Sequence, residues 1–116
     1  MGMKYPKTSI KRRRKRHPKS LFLQDSGTCY LCVRMHGDYR LHKTLEEHHI
    51  FGGANRMLSE EYGLKVKLCQ EHHQYGREAV HRNAEVAQYL HEEGQKAFEV
   101  HYPEKDFRKI FGKNYL

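Results

Sequence analysis

The sequence predicts a small α+β domain in which two short strands are followed by C-terminal helices, and three observations lead there. Leu64, Val66 and Leu68 alternate with Lys65 and Lys67, the period-two pattern of a half-buried strand. Downstream of Asn83, apolar residues recur at helical spacing as far as Pro103. Two pairs, Cys29-x-x-Cys32 and Cys69-x-x-His72, bracket the strand region with 36 residues between them. That is ligand spacing for one tetrahedral zinc, so the small domain is expected to carry a structural zinc knuckle.

A chain of 116 residues has room for one domain and a modest core. With 37% hydrophobic residues and no Trp, that core needs a cross-link. Three cysteines cannot complete a disulfide framework within one chain, so metal binding suits them better. The longest uninterrupted apolar run, Cys29 to Val33, is five residues, against about 20 needed to span a bilayer. No segment has the pattern of a signal peptide. The expectation is a soluble, cytoplasmic protein whose thiols stay reduced, with no membrane partner.

Charge divides the chain. Residues 1–20 hold nine Lys and Arg and no acidic residue, whereas the remainder holds 13 basic against 14 acidic residues. The segment therefore reads as a flexible basic arm, with the folded domain over 21–116. The run Lys11, Arg12, Arg13, Arg14, Lys15, Arg16 would release counterions from a phosphate backbone. By composition alone, a solvated arm or a targeting patch fits equally well.

The fold begins near Leu21. Asp25-Ser26-Gly27 turns the chain into Cys29-x-x-Cys32, which reads as a loop feature in which two thiolates converge. A first strand is placed between Tyr39 and Ile50, where Leu45 and Ile50 flank Glu46-Glu47-His48-His49, and Gly52-Gly53 ends it. An irregular loop follows to Gly63, with one helical turn capped by Ser59. The second strand delivers Cys69. A short helix then carries His72 and His73 until Gly76. A longer helix is capped by Asn83 and runs toward Val100 with Val86, Leu90, Ala97 and Phe98 inward, and Pro103 stops it. A last helix over 105–111 places Phe107, Ile110 and Phe111 on one face.

The second chemical constellation is His48-His49 on the first strand with His73 on the helix. Neighbouring strand residues face opposite ways, yet at a strand end the twist lets one bind a metal while the next faces water. Neutral imidazole suits both a ligand and a base with a pKa near about 6.5. His17, His36, His91 and His101 read instead as solvent-facing residues.

The order Cys-x-x-Cys, then Glu47-His48-His49-Ile50-Phe51-Gly52-Gly53, then Leu68-Cys69-x-x-His72-His73 resembles the HNH endonucleases with a zinc-ribbon staple, over about residues 29–83. The resemblance implies a ββα-metal core with a C-terminal helical extension. It implies His48 and His73 as ligands of a catalytic metal, His49 as general base, and His72 in place of the usual fourth zinc cysteine. The family's middle Asn would fall where this chain has Leu64. Asn55, holding the loop that orients the base, or Asn83 is the candidate replacement. His81 either completes a three-His metal site, if Gly76 lets the chain return, or is a surface residue. A site this rich in nitrogen would accept Mn, Ni or Zn as readily as Mg. Arg56, Arg77 and Arg82 are candidates for gripping phosphate.

The implied function is metal-dependent hydrolysis of DNA, with the basic arm supplying affinity and little specificity. Compact proteins of this kind look like those of phage genomes, which would place the chain in a bacterial or phage-infected cell. The alternatives are a zinc-stapled nucleic-acid-binding module without catalysis, favoured by Leu64, and a zinc-dependent protein-interaction adaptor.

Overall fold

The computed structural model describes residues 19–116, so the arm residues Lys11 to Arg16, and His17, lie outside the described residues. The elements in order are helix α1 (Tyr30–His36), strand β1 (Glu46–His49), a 3-10 turn (Gly53–Asn55), helix α2 (Arg56–Tyr62) and strand β2 (Lys65–Leu68). A single π-helical turn (Glu71–Tyr75), helix α3 (Ala84–His101) and helix α4 (Phe107–Phe111) complete it. The architecture is α+β. Among the described residues no helix is long and apolar enough to cross a membrane.

β1 and β2 pair antiparallel with Glu46 opposite Leu68, Glu47 opposite Lys67, His48 opposite Val66 and His49 opposite Lys65. Ile50 N extends the ladder to Leu64 O at 3.0 Å. A two-stranded sheet leaves edges to satisfy. The Gln24 side chain satisfies the outer edge of β2, accepting from Lys67 N (2.8 Å) and donating to Lys67 O (3.1 Å). Ser20 Oγ donates to Lys65 O, and Leu21 N to Gly63 O, so residues 20 and 21 are tied to the start of β2.

The alternation read in the second strand holds: Leu64, Val66 and Leu68 are buried with Leu31, Ile50, Phe51, Leu90 and Phe98 in one core. Asn83 caps α3 as expected, its Oδ1 accepting from Glu85 N and Val86 N. α3 crosses closely over the end of β1. At Gly94 an added Cβ would lie 2.9 Å from Ile50 Cγ2 and 3.0 Å from the Phe51 ring, so only glycine allows that approach. In α4, Phe107 and Phe111 are buried and Asp106 is the cap.

Two local expectations are corrected. The Cys-x-x-Cys pair is not in a loop: Cys29 caps α1 and Cys32 sits in its first turn, which gathers both sulfurs without a long turn. Ser59 does not start a helix. It lies inside α2, buried, with Oγ accepting from Phe51 N (2.9 Å) and donating to Phe51 O (2.8 Å). That hydroxyl replaces the ladder partner Phe51 lacks beyond the strand, and so clamps α2 to the end of β1.

Candidate metal centres and the histidine cleft

Cys29, Cys32, Cys69 and His72 are all buried, and their ligand atoms lie within 4.8 Å of one another. Cys29 and Cys32 come from the start of α1, Cys69 from just after β2, and His72 from the π-helical turn. His72 Nδ1 is 3.7, 3.3 and 3.5 Å from the sulfurs of Cys29, Cys32 and Cys69, and Cys32 Sγ is 3.9 Å from Cys69 Sγ. A tetrahedral zinc with bonds of about 2.3 Å to sulfur and 2.0 Å to nitrogen has S···N edges of about 3.5 Å and S···S edges of about 3.8 Å. The donor set is therefore compatible with a structural zinc site.

The electrostatics agree. Burial, and then the neighbouring Cys29 thiol, push the Cys32 thiol well above its ordinary range, and burial pushes Cys69 up too. Three thiols packed this way favour thiolates only with a cation among them. Burial lowers His72 and keeps its ring neutral, as a ligand must be. Its Nε2 lies 3.6 Å from Glu78 Oε1, and Glu78 is also 2.7 Å from His36 Nε2. His42, which sequence reasoning passed over, brings Nε2 to 3.8 Å from Cys32 Sγ at the outside of the cluster.

Strand alternation builds the second centre. Glu46 and His48 share one face of β1, Glu47 and His49 the other. On the first face, His48, His73 and His81 form a near-equilateral group, with ring centroids 5.2, 5.2 and 4.8 Å apart. Their ligand nitrogens lie within 4.8 Å of one another, and His73 Nε2 is 3.2 Å from His81 Nε2. His81 reaches the group because the chain reverses after the π-helical turn, with Val80 N donating to His72 O (2.7 Å) and His81 N to His73 O (3.3 Å). Gly76 makes the reversal possible: a Cβ there would meet Glu71 O at 2.7 Å. Burial, followed by the His73 and His81 rings, lowers the His48 pKa to about 3, so its lone pair is available at neutral pH. Glu46 Oε1 sits 2.6 Å from His73 Nδ1, which directs Nε2 toward the group.

On the opposite face His49 Nε2 is 2.7 Å from Glu60 Oε1. Hydrogen bonds from His49 and then Lys65 hold the Glu60 carboxyl down at about 2. The ligand atoms of Glu47, His49 and Glu60 also lie within 4.8 Å of one another.

The two faces meet in a cleft of about 450 Å³ lined by His48, His49, His73, His81, His91 and Arg56, among others. His91, expected in solvent, is part of its wall: the ring stacks on Phe51 at 5.2 Å, packs on Tyr115 at 4.6 Å, and is lowered in pKa by burial. Asn55 is not among the lining residues. Its Nδ2 donates to Phe111 O at 3.0 Å, so it ties the loop after β1 to α4. Arg82 donates to Tyr75 O at 2.8 Å, and Asn83 is the cap of α3. His36 is exposed but bonded to Glu78, and the exposed His101 bonds Ala97 O through Nδ1.

Glu46 and Glu60 are the polar partners that sequence reasoning missed. Glu46 carried a usable signal, its place two residues before His48 on the same strand face, whereas nothing local pointed to Glu60. No protein-family model, curated protein or solved structure matches the chain.

Proposed function

We propose that this protein is a zinc-stapled, metal-dependent DNA endonuclease of the HNH kind. The observation that carries the reading is the convergence of His48, His73 and His81 beside His49 in one cleft with Arg56 on its lining. Three neutral imidazoles are a donor set for a divalent ion, and a site this rich in nitrogen accepts Mn, Ni or Zn as readily as Mg. The chemistry such an ion supplies when bound is stabilisation of negative charge on the phosphate and its leaving oxygen.

The protein's own residues do the rest. His49 accepts a proton from a water molecule as that oxygen bonds to phosphorus, and the bond from phosphorus to the 3′ oxygen breaks. The 3′ oxygen leaves as an alkoxide and takes a proton from solvent. Arg56 offers a guanidinium to the phosphate, and the basic run Lys11 to Arg16 holds DNA without reading its bases. Cys29, Cys32, Cys69 and His72 would hold a structural zinc, which would tie α1 to the end of β2 and so fix the turn that carries His73.

A plasmid-nicking assay with EDTA, and then with added Mg, Mn or Ni, tests the reading. Nicking that EDTA abolishes and a divalent ion restores is expected. A protein that binds DNA but stays inert with every ion is the zinc-stapled binding module instead.

A further inference from the structure

We propose that Glu60, held in place by Lys65, is the positioning residue for His49, fixing its ring so that Nε2 carries the proton and Nδ1 is the basic nitrogen. This rests on the reading of His49 as the general base.

The two oxygens of Glu60 are divided between two partners. Oε1 lies 2.7 Å from His49 Nε2 and Oε2 lies 2.9 Å from Lys65 Nζ. An ionised carboxylate only accepts, so the hydrogen in a neutral His49 must sit on Nε2 and the lone pair on Nδ1. His49 and Lys65 stand directly opposite each other across the two strands, so the sheet register brings imidazole and ammonium to one face. Glu60 arrives from a different element. It follows Ser59, the residue whose hydroxyl clamps Phe51 N and Phe51 O, so the carboxylate is anchored one residue away from its own helix's attachment to β1.

Glu47, His49 and Glu60 could also be read as a third set of metal ligands. Lys65 argues against that. Its ammonium lies 2.9 Å from Glu60 and 3.9 Å from Glu47, and its side chain is largely buried. The positive charge these carboxylates attract is thus already built into the chain, and a divalent ion beside it would be repelled. The cluster orients a base. An imidazole without such a partner can rotate about its ring torsion, and a reacting group misplaced by about 1 Å can cost on the order of 100-fold in activity.

The test uses the full-length, zinc-loaded protein with Glu60→Ala, Glu60→Gln and His49→Ala. Proton NMR of the wild type should show a downfield His49 Nε2–H, protected from exchange by the carboxylate. Glu60→Ala should lose it and Glu60→Gln should shift it. In cleavage, Glu60→Ala should lower kcat by on the order of 100-fold with KM unchanged, and Glu60→Gln should recover part of the loss. Glu60→Ala cleaving within twofold of wild type, while His49→Ala is inactive, overturns the proposal and leaves the nuclease reading standing. A wild type inert with every divalent ion overturns the nuclease reading. The NMR signal then decides the proposal, which fails if that proton is absent from the wild type or unchanged in Glu60→Ala.

Discussion

Glu46 and His73 are 27 residues apart, yet Glu46 Oε1 lies 2.6 Å from His73 Nδ1, so the first residue of β1 orients a ring in the turn that follows β2. A carboxylate on the far nitrogen of a ligating histidine makes the near nitrogen a better donor. Glu46→Gln is expected to weaken divalent-metal binding in the cleft by about 10- to 100-fold without altering the zinc staple. Calorimetric titration of Mn into the zinc-loaded variant measures it, and unchanged affinity contradicts the role.

The Cys32→Ser variant should lose zinc and stability together. Structural zinc contributes several kcal/mol to small domains, and each kcal/mol is about 4 °C or more of midpoint here, so a drop of more than about 10 °C is expected. Metal analysis alongside a thermal melt checks it. Unchanged zinc content with an unchanged melt would remove Cys32 from the ligand set.

The histidines should separate by role. His49→Ala is expected to lose cleavage by about 10² to 10⁴-fold while fold, zinc and DNA binding persist, since a base acts on the transition state. His48→Ala or His73→Ala should lose cleavage and metal occupancy in the cleft together. Nicking rates and metal titrations on the same preparations distinguish the two patterns. A His49→Ala protein that nicks at the wild-type rate refutes the mechanism.

His91 should make the fold sensitive to acid. Burial, and after it the Lys113 charge, lower its pKa from the ordinary 6.5, so the unfolded chain binds a proton there before the folded one does. Stability from the neutral ring is therefore complete above pH 6.5 and is lost as pH falls below that value toward the lowered folded pKa. Urea midpoints at stepwise lower pH should fall more steeply for the wild type than for His91→Gln at equal zinc content. Parallel slopes would contradict this.

Deleting residues 1–18 removes eight Lys and Arg and no acidic residue, and leaves the Ser20 bond to Lys65 intact. Affinity for DNA of any sequence should fall, and each lost phosphate contact should lower the log–log salt slope by about 0.9. Binding isotherms at several salt concentrations measure both. An arm that contacts no phosphate leaves slope and affinity where they were.

By itself the sequence determined the features that live within a few residues of chain. The Cys-x-x-Cys and Cys-x-x-His pairs are local because one helical turn suffices to converge two side chains, and Leu64, Val66 and Leu68 alternate because a strand has period two. Asn83 announced the start of α3 because capping is a contact over two or three residues. Tertiary structure alone decided the partners. Glu60 reaches His49 from another element, Asn55 turns to Phe111 O, and His91 becomes cleft wall where α3 crosses Phe51. Those pairings depend on the register of β1 against β2 and on how closely α2 and α3 pack over the end of β1. Both are set by core packing and by single contacts such as the Ser59 clamp and Gly94, which leave no periodic trace in the chain.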